Sequence, residues 1–228
     1  NDALGSDVAG MCFEGPREEL TKTANQQPTI HATTKAILEV VRSYGYDTDI
    51  TAGFSLGEYA ALVYAGALRF EETVPLVKKR GHFMQTAVPQ GEGKMAAVIG
   101  LSREEVEQLV ADSSDEGVIE CSNYNCPGQI MISGHARAVE KGARLALERG
   151  AKMANFLDVS GPFHTSLLIP AGLNLHRELQ KVRVEEIKKR YVTNVTGKFV
   201  YKEDDIREIL KQHVYKPVLW IDSVETML

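Results

Sequence analysis

The sequence predicts an α/β protein: a larger α/β domain carrying a compact inserted unit of ferredoxin-like βαββαβ order. Two stretches support this reading. In Thr51-Ala52-Gly53-Phe54-Ser55-Leu56-Gly57-Glu58-Tyr59, the residues before Gly53 can end a short buried strand and those after Gly57 read as helix. Between them lies G-x-S-x-G, the sharp strand-to-helix turn that exposes a serine Oγ. The second stretch, from Lys94 to Val159, alternates strand and helix signals in the order β-α-β-β-α-β. The predicted boundaries are residues 1–93 and 158–228 for the large domain and 94–157 for the insertion.

Before the serine turn, 1–16 is Gly-rich and irregular, and Arg17 to Thr23 can form a short helical turn. Gln26-Gln27-Pro28 is a turn that places Pro28 at a first helical position. A helix from Thr29 to Tyr44 then carries Ile30, Ile37, Val40 and Val41 at helical spacing and ends at Gly45. After the turn, a helix from about Phe70 to Thr86 holds Lys78-Lys79-Arg80-Gly81, and 88–93 is a turn-rich linker.

Within the insertion, Met95 to Ile99 is a strand, and Ser102 with Glu105 makes a capping box for a helix to about Asp112. Val118 to Tyr124 and Gln129 to Ser133 form a hairpin over the turn Asn125-Cys126-Pro127-Gly128. Ala136 to Arg149 is an amphipathic helix stopped by Gly150, and Ala151 to Val159 is the last strand. The chain then runs through Val159-Ser160-Gly161-Pro162-Phe163-His164-Thr165 into a helix from Ser166 to Leu179. A strand from Tyr191 to Asn194, a helix from Asp205 to Gln212 and a final helix after Trp220 complete the order.

The bulk numbers narrow the function classes. With 228 residues, 43% hydrophobic and 25% charged, the chain can bury a substantial core. A net charge of −5 argues against a nucleic-acid surface, and no apolar run is long enough to span a bilayer. The start lacks the basic and apolar pattern of a secretion signal, which predicts a cytoplasmic protein. Cys12, Cys121 and Cys126 leave an odd count with no C-x-x-C pair, as suits a reducing compartment. Cys121, Cys126 and His135 are not taken as metal ligands, since the hairpin explains their spacing and no second ligand pair exists.

Ser55 is therefore the candidate nucleophile and His164, on a short loop, the candidate general base. Arg80 is read from composition as either a solvated helix residue or a functional cation. A third, acidic partner for His164 is left open among Asp112, Asp115 and Asp158.

Several further pieces fall in a single order along the chain: Gln27-Pro28, Gly53-Phe54-Ser55-Leu56-Gly57-Glu58-Tyr59, Arg80-Gly81, Asn123-Tyr124-Asn125-Cys126-Pro127-Gly128-Gln129, Ser133-Gly134, Pro162-Phe163-His164, Asn194-Val195-Thr196-Gly197 and Pro217-Val218-Leu219-Trp220. With Arg80 lying 25 and His164 lying 109 residues after Ser55, the chain resembles the malonyl-CoA:acyl-carrier-protein transacylases and the related acyltransferase domains of polyketide synthases.

The resemblance implies a hydrolase-like core with a parallel sheet, a ferredoxin-like small unit and an active site between them. It implies a ping-pong course in which Ser55 takes malonyl from malonyl-CoA and the phosphopantetheine thiol of acyl carrier protein removes it. Arg80 would hold the malonate carboxylate and the Leu56 N–H would stabilise the oxyanion. Phe163 and Asn123 would contact substrate, and the backbone carbonyl of His213, where the family usually has Gln, would orient His164. The implied partners are acyl carrier protein and a coenzyme A thioester. No resident cofactor, metal, nucleic acid or membrane is expected, and the protein is expected to be a monomer.

Against the family pattern, the chain lacks the initial strand with its G-Q-G-S-Q loop and the C-terminal tail, and so reads as an interior fragment. Phe54 stands where His is usual. Two rival readings share part of this site: a serine hydrolase or thioesterase that delivers the acyl group to water, and a carrier-protein docking module without turnover.

Overall fold

Helices α1 (Val8–Glu14), α2 (Arg17–Leu20) and α3 (Thr23–Ser43) open the computed structural model, which describes residues 2–5, 7–159, 161–201 and 206–228. α3 begins at Thr23 and runs through Pro28 instead of starting after it. The proline forfeits a single intrahelical bond, and the Thr29 hydroxyl donates to the nearby carbonyls of Asn25 and Gln26. The apolar stripe of α3 also differs from expectation, because it faces outward: Ile37 is 58% exposed and Val40 56%. The inward side presents Gln27, Pro28, Thr29 and His31, where Gln27 Oε1 accepts from Arg80 and His31 Nε2 lies 2.7 Å from the Thr73 hydroxyl.

Next come β1 (Ile50–Thr51), α4 (Gly57–Tyr64) and α5 (Phe70–Gln85), the last crossing α3. Gly81 permits that crossing. A Cβ there would lie 2.9 Å from Ala24 Cα and closer still to the Thr23 carbonyl oxygen, so the bare Cα lets the two helices touch.

The second unit comprises β2 (Gly93–Ile99), α6 (Arg103–Ala111), β3 (Ile119–Cys126), β4 (Gln129–His135), α7 (Ala136–Glu148) and β5 (Met153–Phe156). Its strands pair in the order β3-β4-β2-β5 with every neighbour antiparallel. The capping box is present, with Glu105 N–H donating to Ser102 Oγ and Ser102 N–H to Glu105 Oε2. The hairpin is tighter than predicted. Cys126 and Gln129 are paired, so Pro127-Gly128 alone make the turn, with Gly128 at φ +77. β5 ends at Phe156, short of Val159.

A 3₁₀ turn (Ser166–Leu168) leads into α8 (Ile169–Leu179), followed by β6 (Arg190–Val192), β7 (Phe199–Val200), α9 (Ile206–His213) and α10 (Trp220–Met227). Ser160 and Asp205 lie outside the described residues. β1 pairs with β6 in parallel, as predicted, and β7 adds an antiparallel strand, giving a mixed sheet.

Each sheet has its own core. Tyr59, Leu62, Leu76, Val77, Leu175 and Tyr191 centre the first, and Val98, Leu109, Ile130, Ile132 and Val139 the second. Between them runs a seam. Tyr124 N–H donates to Val218 O and Val218 N–H to Ser122 O, both at 2.9 Å, where two irregularities in β3 leave its outer edge open to a passing segment. Arg103 adds an ion pair to Asp222 at 2.5 Å, and Glu120 of β3 accepts from both the N–H and the hydroxyl of Ser166.

Candidate active site

β1 delivers the chain to Gly53, and the turn that follows places Ser55 at φ +48, a left-handed conformation that costs a non-glycine residue energy. The turn is held by Asn194. Its Oδ1 accepts from Ser55 N–H at 2.7 Å and its Nδ2 donates to Gly53 O at 2.9 Å. Only one of the two flanking glycines is sterically required. A Cβ on Gly53 would sit 2.6 Å from Glu58 N and closer to the Gly57 carbonyl, whereas one on Gly57 meets nothing within 4 Å.

Because Ser55 N–H is engaged by Asn194, the next amide is the available oxyanion donor. Leu56 N–H has no hydrogen-bond partner among the described residues and stands at the start of α4, where the helix dipole adds positive potential.

Ser55 Oγ lies 2.9 Å from His164 Nε2, and His164 Nδ1 lies 2.9 Å from the His213 carbonyl oxygen. With Nδ1 protonated and donating to that carbonyl, Nε2 is free to accept the serine proton. None of the three candidate acids occupies the third position. Asp112 pairs with Arg149, Asp115 with Lys141, and Asp158 is exposed. His164 is itself at φ +58 and 3% exposed. Burial, reinforced by the nearby Arg80 cation, lowers its pKa to about 3, against the raising influence of the His213 and Lys216 backbone. The imidazole is therefore neutral near pH 7, as a base must be.

Arg80 is 1% exposed, so the solvated-helix alternative is excluded. Its Nη1 donates to Gln27 Oε1 at 2.8 Å and its Nη2 to Ser55 Oγ at 3.2 Å, while the guanidinium stands over the Tyr59 ring at 5.7 Å. Among the described residues no carboxylate lies within ion-pair distance, and Nε has no partner. Burial lowers the Arg80 pKa, partly offset by Tyr59 and Glu58, yet a guanidinium stays charged at neutral pH. A buried, incompletely paired cation beside the Ser55 hydroxyl is chemically suited to an anionic group.

The remaining candidates surround this centre. Phe163, next to His164, is half-buried and lines a cavity of about 870 Å³ shared with Arg17, Lys22, Gln85 and Gln90. Ser55 and Arg80 are not in that lining. Asn123 is buried in the seam, where its Oδ1 accepts from the Ser122 hydroxyl. Phe54 packs edge-on against Trp220, with ring centroids 5.6 Å apart. Residue-level reasoning assigned no role to Gln27, Asn194, Glu58 or Glu120. The first three were visible only as members of the Gln27-Pro28, Asn194-Val195-Thr196-Gly197 and Gly53 to Tyr59 pieces. Cys12, Cys121 and Cys126 are free thiols. Among the described residues no cluster of His, Cys, Asp and Glu is arranged to hold a metal ion, and no helix is long and apolar enough to cross a membrane.

A buried serine–histidine–arginine constellation on this fold has clear relatives. The profile of the acyl transferase domain matches residues 1–225. The chain belongs to the acyl transferase domain family. It is 42% identical over 229 residues to the malonyl CoA-acyl carrier protein transacylase of Bacillus subtilis, covering 100% of this chain and 72% of the relative. The crystal structure of the transacylase of the same name from Clostridium perfringens matches with a TM-score of 0.96 at 44% identity, over 99% of this chain and 71% of that one. A malonyl-transacylase solved in complex with its type II polyketide acyl-carrier protein matches at a TM-score of 0.93 and 37% identity, over 99% and 74%. Within the acyl transferase family, this chain's mixed α/β fold is thus a shared architecture, with the serine turn at the end of β1.

Proposed function

We propose that the protein transfers the malonyl group of malonyl-CoA to the phosphopantetheine thiol of acyl carrier protein, as in fatty-acid biosynthesis, through a malonyl ester on Ser55. The observation that carries this reading is the Arg80 guanidinium, fully buried and 3.2 Å from the Ser55 oxygen. A site that handled only neutral acyl groups would have no use for it. The relatives named for this reaction give the same reading from sequence.

In the first half-reaction Ser55 Oγ attacks the thioester carbonyl carbon while its proton passes to His164 Nε2. The carbonyl oxygen takes up negative charge beside Leu56 N–H. Collapse breaks the C–S bond, and the proton on His164 leaves with the coenzyme A thiol. In the second, the carrier thiol gives its proton to His164 and attacks the ester, and Ser55 recovers a proton as its oxygen departs. Arg80 holds the malonate carboxylate with two N–H groups throughout. The carboxylate also offsets the Arg80 cation, the second cause after burial of the lowered His164 pKa, so substrate binding returns part of the base's proton affinity.

Nucleophile, base and carboxylate clamp are all side chains, and the mechanism draws on no resident cofactor or metal. We place the protein in the cytoplasm as a monomer that meets acyl carrier protein and the coenzyme A thioester in solution. Intact mass after mixing with malonyl-CoA tests the assignment. A persisting malonyl adduct, absent in Ser55→Ala and discharged by carrier protein, is expected. An adduct that returns to free mass without carrier identifies a hydrolase, and no adduct at all identifies a docking module.

A further inference from the structure

Glu58 follows the serine turn directly and is completely buried, an expensive place for a carboxyl group. Its surroundings come from four elements. Tyr191 in the middle of β6 donates its hydroxyl to Glu58 Oε1. The Thr193 side chain and the Asn194 backbone favour its charged form. His213, at the end of α9 and equally buried, brings Nδ1 to within 3.1 Å of Glu58 Oε2. Arg80 of α5 and the Tyr59 hydroxyl of α4 are the other titratable groups whose charge acts on it or on which it acts.

Two lines lead from this carboxyl to the reacting atoms. Through the Tyr191 hydroxyl it ties down the strand that leads, three residues on, to Asn194, whose side chain accepts from Ser55 N–H and donates to Gly53 O. Through His213 it reaches the carbonyl that accepts from His164 Nδ1. We propose that Glu58 is a positioning residue for the catalytic pair, a single buried carboxyl group anchoring both the segment that holds the Ser55 turn and the His213 peptide that orients His164.

The pair with His213 works in its neutral form. Burial raises the Glu58 acid to about 8, despite Thr193, Asn194 and Arg80 acting in the opposite direction. Burial also holds the His213 imidazole well below its ordinary value, reinforced by His164 and Arg80. At neutral pH the carboxyl therefore keeps its proton and the imidazole is uncharged, so the two groups meet as neutral neighbours. A glutamine side chain can imitate that arrangement, accepting from Tyr191 and setting a neutral amide against the imidazole, whereas alanine can do neither.

The inference rests on the transferase reading for its kinetics and is tested with a second readout that does not. Wild type, Glu58→Ala, Glu58→Gln and Tyr191→Phe are compared for the single-turnover rate of malonyl-Ser55 formation, and for the NMR resonance of the His164 Nδ1 proton without acyl-CoA. The expected result is a saturating rate about tenfold or more lower in Glu58→Ala and lower in Tyr191→Phe, with half-saturation by malonyl-CoA unchanged. Glu58→Gln restores most of the rate, and the Nδ1 resonance moves upfield only in the two impaired variants. A folded Glu58→Ala with wild-type rate and resonance overturns the proposal. Should that variant not fold, the same result in Tyr191→Phe overturns it. An absent adduct in wild type counts against the transferase assignment alone, and the resonance still decides the positioning role.

Discussion

Arg80 Nη2 donates to Ser55 Oγ across 3.2 Å, so the cation and the nucleophile are already in contact before any acyl group arrives. A malonate carboxylate entering the site takes the guanidinium as its partner and frees a serine lone pair for attack. Removing the guanidinium leaves a buried carboxylate without compensation, at a cost of about 3 kcal/mol or more. Arg80→Ala is expected to lose malonyl transfer by about a hundredfold or more while gaining relative activity toward acetyl-CoA. Arg80→Lys should recover little, since an ammonium cannot form the two-point pair. The ratio of acetyl to malonyl adduct on Ser55, read by mass spectrometry, checks this, and a constant ratio in all three proteins would refute the carboxylate clamp.

Stability should peak near pH 6.5. His31, His164 and His213 are all buried with lowered pKa values, His31 to about 4, chiefly through burial. Below the ordinary imidazole value of 6.5 the unfolded chain takes up protons that the folded chain refuses, and stability is lost as pH falls. Glu58 acts in the opposite sense. Its folded pKa of about 8 exceeds the ordinary 4.5, so its contribution declines as pH rises from 4.5 through 8. Three imidazoles outweigh one carboxyl on the acid side, the carboxyl governs the fall from about 6.5 to 8, and the raised Cys121 and Tyr59 continue it at higher pH, with about 1.4 kcal/mol per pH unit for each proton difference at most. Urea unfolding across the range gives the curve, and a maximum above pH 8 would contradict the neutral Glu58.

The two glycines of the serine turn should respond oppositely to alanine. Gly53→Ala drives a Cβ into the Gly57 carbonyl, where neither backbone can retreat, and should cost about 2 kcal/mol or more. Gly57→Ala occupies open space at a helical position and should gain up to about 1 kcal/mol. Equal loss in both, measured by thermal unfolding, would show that the second glycine is held by something other than sterics.

Phe163 fills the position beside the base, and an α-methyl on the acyl group would compete with it. Wild type is expected to favour malonyl over methylmalonyl by roughly ten- to two-hundredfold, corresponding to about 1–3 kcal/mol, and Phe163→Ser to narrow that gap. Competition of the two acyl-CoAs for Ser55 measures it. Equal wild-type rates would show that Phe163 does not contact the α-carbon.

Elements governed by local pattern were legible in the sequence. Ser102 and Glu105 announce their capping box, and the alternation from β2 to β5 gives the order of the small unit. The serine turn and His164 were legible because strand, turn and loop chemistry concentrate there. The burial of Arg80 was not, since its neighbours Lys78 and Lys79 suggest a wet helix face. Its position follows from Gly81 letting α5 meet α3, a tertiary fact with no local signature. The outward apolar stripe of α3 misled for the same reason: periodicity shows that a helix has two faces and leaves open which of them packs. Glu58 and Asn194 read as ordinary polar residues until β6 and α9 converge on them.

The seam at Val218 bears on how firmly the active site is braced. Two backbone hydrogen bonds, the Arg103–Asp222 pair and the Glu120–Ser166 clasp fasten the small sheet to the segments carrying His164 and Trp220. A displacement of the small sheet would therefore pull on those segments, and through them on the 2.9 Å approach of His164 to Ser55, so the small sheet serves as masonry for the active site.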